Sequence, residues 1–444
     1  MENDFLMKNP IILNILNSKK YLKKYTKKKY DPEGNTNFYL ASFTKSVGYY
    51  LLKKIFNIQS KNFLNSLNFI ISDIFFGINY SIKIIKKKNF KHSFSRIVLT
   101  WGFKKDFDYK GVFYDKYFNT FSSSQKKILW LIIYLDNDLP KNIQSNLILV
   151  TTKGNKISNL LSWLKFLFFN IPKIFKNFDF FLVNVSSFNY FSKKIIISLR
   201  KILNENYKEI IIPFEGQPFQ NEVIKFLKKK NKNTLITGYI HSLPVAVPTN
   251  FIHKQFSPDR IFLNGKDQLI CFNKILGWPK KKLYLIPSLR FRKTKIKKEK
   301  RIFIPYMVKR HDQVLSKIEY IHKNILNLNG YIIQNHPAAK NFKKNLKFIS
   351  KMQKIVDNKS SLKGGSYDLI FVGHSGGITE FLEKGFKILH VCEDPEFECF
   401  QTEIWKSIKT TEISKNIFSY KLKEKGNLIN FGKNNTDLNS ILDY

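Results

Sequence analysis

Acidic residues are scarce in this chain of 444 residues: 33 Asp and Glu stand against 76 Lys and Arg, a net charge of +43. Cysteine is scarcer still. Cys271, Cys392 and Cys399 are too few and too scattered for a disulfide framework or a zinc site, which fits a reducing compartment. There are 19 glycines, and none falls in a GxGxxG or phosphate-loop fingerprint, which argues against a dehydrogenase or a nucleoside triphosphatase. No uninterrupted apolar run reaches the ~18 residues that span a bilayer. The N-terminus, MENDFLMKNP, lacks a signal peptide's basic start and small-residue cleavage site. These absences lead us to expect a cytoplasmic protein, peripheral to a membrane at most.

What is present is a folded composition, 43% hydrophobic with 42 phenylalanines, in a chain long enough for two or three domains. The positive charge invites a nucleic-acid reading, since Lys and Arg neutralise phosphates. The lysines are, however, spread throughout and accompanied by abundant Asn and Ile, as a base-composition bias would produce. None of the common nucleic-acid motifs is matched. Nucleic acid is therefore not the expected partner, and an anionic membrane surface is the better candidate. Leu160–Phe175 has Trp163, Phe166, Phe168 and Phe169 interrupted by Lys165, Asn170, Pro172 and Lys173. It reads either as a helix lying in a membrane interface or, more plainly, as a core-packing helix and loop.

Residues 1–94 mix basic runs with apolar, helical-looking segments and read as an N-terminal extension. From Arg96 the pattern changes to short apolar runs alternating with helical stretches. Ile97–Thr100, Leu129–Leu135, Leu147–Thr151, Phe180–Val185, Glu209–Phe214, Leu235–Ile240, Arg260–Leu263 and Leu283–Ile286 read as strands. The charged run 290–301 reads as a linker. Alternation resumes beyond it with strands at Ile302–Tyr306, Tyr331–Gln334, Leu369–Val372 and Lys387–Val391. The expected fold is α/β, with two Rossmann-like domains (95–289 and 302–444) facing a central cleft.

Three polar signatures sit where apolar runs end. Glu215-Gly216 follows EIIIPF, Asn335-His336-Pro337 follows YIIQ, and Gly373-His374-Ser375-Gly376-Gly377 follows DLIFV. Open α/β sheets bind ligands beyond the carboxyl ends of their strands, so the three read as parts of one site. Glu215 is a candidate base whose pKa burial would raise; its other reading is a helix cap. Asp259 and Glu222 are weaker rivals that look like surface residues. Pro337 holds His336 extended at a strand end, and Lys340 is a nearby cation. Ser375, Gly376 and Gly377 lead into a helix whose free N–H groups suit a phosphate; the alternative is a Ser-capped helix with a solvated Glu380. Lys309 and Arg310 are further phosphate candidates. His241 and Ser242 begin a Pro-rich loop, and Lys266 and Asp267 look like a helix cap.

An acid-Gly motif followed by His-Pro and Ser-Gly-Gly resembles the GT-B glycosyltransferases of bacterial surface-polysaccharide assembly. Within these, the sialyltransferase-like and capsule Kdo-transferase-like enzymes are the nearest pattern, over about residues 95–410. Phe214 stands where the sialyltransferases carry a first acid. The resemblance implies inverting transfer from a nucleotide-sugar donor, with a CMP-sugar suggested by the sialyltransferase pattern, to an oligosaccharide or lipid-linked glycan acceptor. It assigns Glu215 as base and His336 to the leaving phosphate. Ser375, Gly376, Gly377, Lys309 and Arg310 would bind the nucleotide's phosphates, with Glu380 on its ribose. Gly216, His241 and Ser242 would border the acceptor. No cofactor or metal is expected. The alternatives are a nucleotide-sugar epimerase of the same architecture and a non-catalytic basic protein that binds membranes or nucleic acid.

Overall fold

The computed structural model describes residues 9–25, 38–42, 46–58, 63–86, 94–151, 156–175, 177–200, 202–203, 206–293, 299–306, 308–336, 343–358, 362 and 367–444. It is a mixed α/β structure built on two sheets in which parallel pairing dominates. Pro337, Lys340 and Met307 lie outside the described residues, as does the middle of the expected linker.

The first sheet has eight strands. They are β1 (Lys83–Lys86), β2 (Arg96–Gly102), β3 (Ile128–Tyr134), β4 (Leu147–Thr151), β5 (Glu209–Pro213), β6 (Leu235–Tyr239), β7 (Arg260–Leu263) and β8 (Leu283–Leu285). Their spatial order is β1-β4-β3-β2-β5-β6-β7-β8, and every pair is parallel except edge strand β1 on β4. β3, β4 and β5 are buried along their whole length, which is why they read as unbroken apolar runs. Glu209 is the one acid at the start of such a run. It is held by Arg260 at 2.8 Å and Arg96 at 3.2 Å, and accepts a hydrogen bond from Thr237.

The second sheet contains β9 (Arg301–Ile304), β10 (Ile332–Asn335), β11 (Leu369–Val372), β12 (Ile388–Val391), β13 (Ile408–Ser414) and β14 (Ile417–Leu422), in the order β10-β9-β11-β12-β14-β13. β9 to β12 are parallel, and the last two strands form an antiparallel hairpin against β12.

The N-terminal residues are part of this structure. Helices α1 (Pro10–Tyr25), α2 (Val47–Ile55) and α3 (Phe63–Phe76) contribute Ile15, Leu51, Leu52 and Ile70 to a core shared with strands of both sheets. The apolar segments of this N-terminal region are not all helical, because Ile84 and Ile85 belong to β1. The C-terminus returns to the first sheet, where Leu438 and Ile441 are buried beside Trp130 and Tyr239. Arg292, within the expected linker, bridges to Gly432.

Phe180–Val185 is a helix rather than a strand. After α4 (Lys156–Asn170), α5 runs from Phe178 to Val185 and α6 from Ser187 to Leu199. Asn177 caps α5 by accepting the Phe180 amide at 3.1 Å. A short apolar run inside the core carries no periodicity that separates a strand from a buried helix.

Candidate active site

Register explains how the first part of the site assembles. β5 and β6 run parallel with Pro213 opposite Tyr239, so two residues further on Glu215 arrives beside His241. The His241 Nε2 donates to Glu215 Oε1 at 3.1 Å. Gln217 Nε2 donates to the other carboxylate oxygen, and Gln220 accepts the Glu215 amide at 3.0 Å. The cap of helix α7 (Pro218–Lys230) is this Gln217–Gln220 pair, so Glu215 is not the cap. Its side chain keeps 26% exposure toward the cleft, whereas that of His241 keeps 3%.

The sharp turn after Glu215 requires glycine. Gly216 has φ of +69°, and a Cβ there would lie 2.1 Å from the Asn250 carbonyl oxygen. Asn250 also donates to the Glu215 carbonyl at 2.9 Å, which fixes the backbone on both sides. We expect Gly216→Val to cost at least ~1–3 kcal/mol through this clash and the strained conformation, measurable by chemical denaturation; wild-type stability would contradict the assignment.

Burial pushes the Glu215 carboxyl up. The His241 hydrogen bond and charge, Gln217 and the Arg290 guanidinium pull harder, so its pKa falls below the ordinary carboxylate value. The sequence-based expectation of a raised pKa is therefore corrected: the polar neighbours outweigh desolvation. For His241, burial is the largest effect and lowers its pKa. The buried Nδ1 has no hydrogen-bond partner, so a second ring proton would be stranded there. At neutral pH the pair is a carboxylate and a neutral imidazole.

The second sheet supplies the opposite wall. Ile304 pairs with Asn335, and Phe303 with Phe371. The residues just beyond β9, β10 and β11 therefore share one edge: Tyr306, His336, His374 and Ser375. A cleft of about 570 Å³ is lined by Glu215, Ser242 and Arg290 on one side and by His336, Ser375, Gly376, Gly377 and Glu380 on the other. The halves meet closely, since a Cβ on Gly376 would lie 3.3 Å from that of Leu243. Glu380, in α8 (Gly377–Glu383), pairs with Lys384. Gly376 occupies the N-cap position without a side-chain cap bond, so Ser375 is not a capping serine.

Lys309 and Arg310 do not line this cleft. Both pair with Asp394, and their backbone amides donate to Glu393 at 2.8 and 2.6 Å. Glu222 is buried rather than exposed, and Asp259 is tied to Lys228 at 2.6 Å. Gly265, not Asp267, caps the helix Lys266–Ile270; Asp267 accepts from the Ser407 amide at 2.7 Å.

Among the cleft residues that sequence reasoning gave no role are a cation, Arg290, and an imidazole, His374. Arg290 opens the charged run and so reads as linker, yet it is the one Lys or Arg in the lining among the described residues. It lies 5.3 Å over the Tyr117 ring and 5.1 Å over Phe291. His374 was legible as part of the HSGG turn but received no role. Burial, then the charge of Lys309, pushes its imidazole down to about 3. His336 is also lowered by burial, so near neutral pH both imidazoles offer hydrogen bonds rather than charge.

Two Asp-x-Asp triplets occur, Asp106-Phe107-Asp108 and Asp136-Asn137-Asp138, and both serve turns outside the cleft. Asp106 accepts from the Phe103 amide at 2.9 Å and Asp108 from Val112 at 2.8 Å. Asp136 accepts from Lys104 N at 2.6 Å, and Asp138 pairs with the Lys104 ammonium at 3.3 Å. Among the described residues, His390, Cys392 and Glu398 form a buried group with metal-ligating atoms close together. The His390 Nε2 donates to the Gly373 carbonyl at 2.7 Å, so its Nδ1 accepts from the Tyr420 hydroxyl at 2.8 Å. Both ring nitrogens are thus already engaged. Comparison with protein-family models, curated proteins and solved structures gives no match for this chain.

Proposed function

We propose that the cleft is the active site of an inverting, metal-independent glycosyltransferase of GT-B architecture, moving a sugar from a nucleotide-sugar donor to a hydroxyl of a cell-surface glycan. The observation that carries this reading is the Glu215 carboxylate, oriented by His241, facing His336 and the Ser375-Gly376-Gly377 turn across one cleft. In this scheme Glu215 takes the acceptor's proton as its oxygen attacks the anomeric carbon. The bond from that carbon to the nucleotide's phosphate breaks, and the electron pair leaves with the phosphate. Hydrogen bonds from His336, Ser375 and the amides at the start of α8, with the Arg290 charge, stabilise the leaving group. An epimerase reading expects extra acids around the sugar; the second lining carboxylate, Glu380, is already paired with Lys384.

The acid side of the pH–rate profile tests the dyad. Glu215 acts as a base only when ionised, so activity is lost as pH falls through its lowered pKa. We expect His241→Ala to remove the stabilising hydrogen bond, raise that pKa and move the acid limb to higher pH. His241→Gln, which keeps an N–H donor, should restore part of the shift. An acid limb unmoved in His241→Ala would exclude His241 as the group that tunes Glu215.

A further inference from the structure

α4 is built inside out. Its inward side carries Asn159, Trp163 and Asn170, all buried. Asn159 donates to the Ile78 carbonyl, Trp163 Nε1 to that of Ile74 at 3.2 Å, and Asn170 to that of Phe166 at 2.7 Å. The outward side repeats at helical spacing through Ile157, Leu161, Leu164 and Phe168 and continues into the turn Ile171–Phe175. Phe168 is 71% exposed and Phe175 87%. Phe75 of α3, packed 5.1 Å from the Trp163 ring, extends the same surface. More than half of the exposed large apolar side chains among the described residues fall in segments 71–76 and 157–178. A contiguous apolar face of this kind marks an interaction site rather than ordinary surface.

Charge indicates what covers it. The sequence contains no Asp or Glu between Asp138 and Asp179, nor between Asp73 and Asp106. Asp73 is itself buried, accepting from the Val47 amide at 3.0 Å. Lys165 on α4 and Lys83 and Lys86 on edge strand β1 are exposed. A second copy of a chain carrying +43 would be repelled, whereas an anionic surface would be attracted. No helix among the described residues is long and apolar enough to cross a membrane.

We propose that α3, α4 and the Ile171–Phe175 turn dock this protein on an anionic phospholipid bilayer, with the apolar side chains in the headgroup–acyl boundary and the lysines on lipid phosphates. α4 follows β4 at the carboxyl edge of the first sheet, the edge that carries Glu215. The binding itself does not depend on the proposed chemistry.

Vesicle co-sedimentation of the full chain tests this, using phosphatidylcholine vesicles and phosphatidylcholine vesicles containing phosphatidylglycerol. The wild type should sediment with the anionic vesicles and less so as salt rises. Phe168→Asp combined with Phe175→Asp should weaken capture at least about tenfold. Both positions are exposed, so the fold should survive, to be checked by circular dichroism. Tyr109→Asp, at another exposed aromatic, should bind as the wild type does. Wild-type capture of the double variant would overturn the proposal, since charge alone would then account for binding. So would failure of the wild type to sediment, or a wild-type dimer that the double variant converts to monomer.

Discussion

Glu215→Gln is expected to lower transfer by about 10²–10⁴-fold, the usual contribution of a general base, while leaving nucleotide affinity and stability close to wild type. The amide keeps the shape of the carboxylate and still accepts the bond from His241, but it cannot take a proton. Gln220 satisfies the local backbone amides, so the start of α7 does not depend on the charge. Transfer onto a defined acceptor measures the effect, with nucleotide binding measured in parallel. Undiminished turnover would place the proton elsewhere. A parallel loss of nucleotide affinity would mean that Glu215 binds rather than reacts.

Asp394→Ala is expected to be the most damaging change away from the cleft. Its carboxylate is 2% exposed and is surrounded by Lys309 at 3.2 Å, Lys53 at 4.0 Å and Arg310. Tyr49 donates to it at 3.1 Å. Burial pushes this carboxyl up, but the three cations together hold it below the ordinary carboxylate value. α2 is thereby joined to the loops beyond β9 and β12. Removing the acid leaves the cations crowded together, and breaking a buried pair costs ~3–5 kcal/mol. The cations keep some solvent contact, so we expect about 3 kcal/mol by chemical denaturation. Because the folded pKa is lowered, this stability is present above the unfolded value and is lost as pH falls through the folded one. The variant should therefore show a weaker dependence of stability on acid. A loss below ~1 kcal/mol would mean that the network is merely solvated surface charge.

The parallel strands of both sheets were legible because each is a short apolar run ended by a polar residue, and β7 and β11 fall on the expected residues. Edge strand β1 and the β13–β14 hairpin were not, because β1 and β13 are largely exposed and carry no such run. Strand ends also led directly to Glu215, His336 and Ser375, which now share a cleft lining. The failures have physical causes. Phe180–Val185 is apolar whether it lies in a strand or a buried helix, and only the Asn177 cap separates the two. Lys309 and Arg310 sit after a strand, as phosphate ligands would, but Asp394, far away in sequence, claims their charges. Arg290 was hidden by the basic run that it opens. The lowered pKa of Glu215 depends on His241, whose approach follows from pairing between β5 and β6 rather than from either segment alone.

Thermal melting in the presence of CMP, UDP, GDP and dTDP tests the central claim most directly, comparing wild type with a folded variant carrying both His336→Ala and Ser375→Ala. A nucleotide that fills the cleft stabilises the folded state, by ~2.7 kcal/mol at about 100 times its Kd. The account predicts that at least one nucleotide raises the wild-type Tm and that the rise disappears in the variant. No rise with any nucleotide, or an equal rise in both proteins, would contradict it.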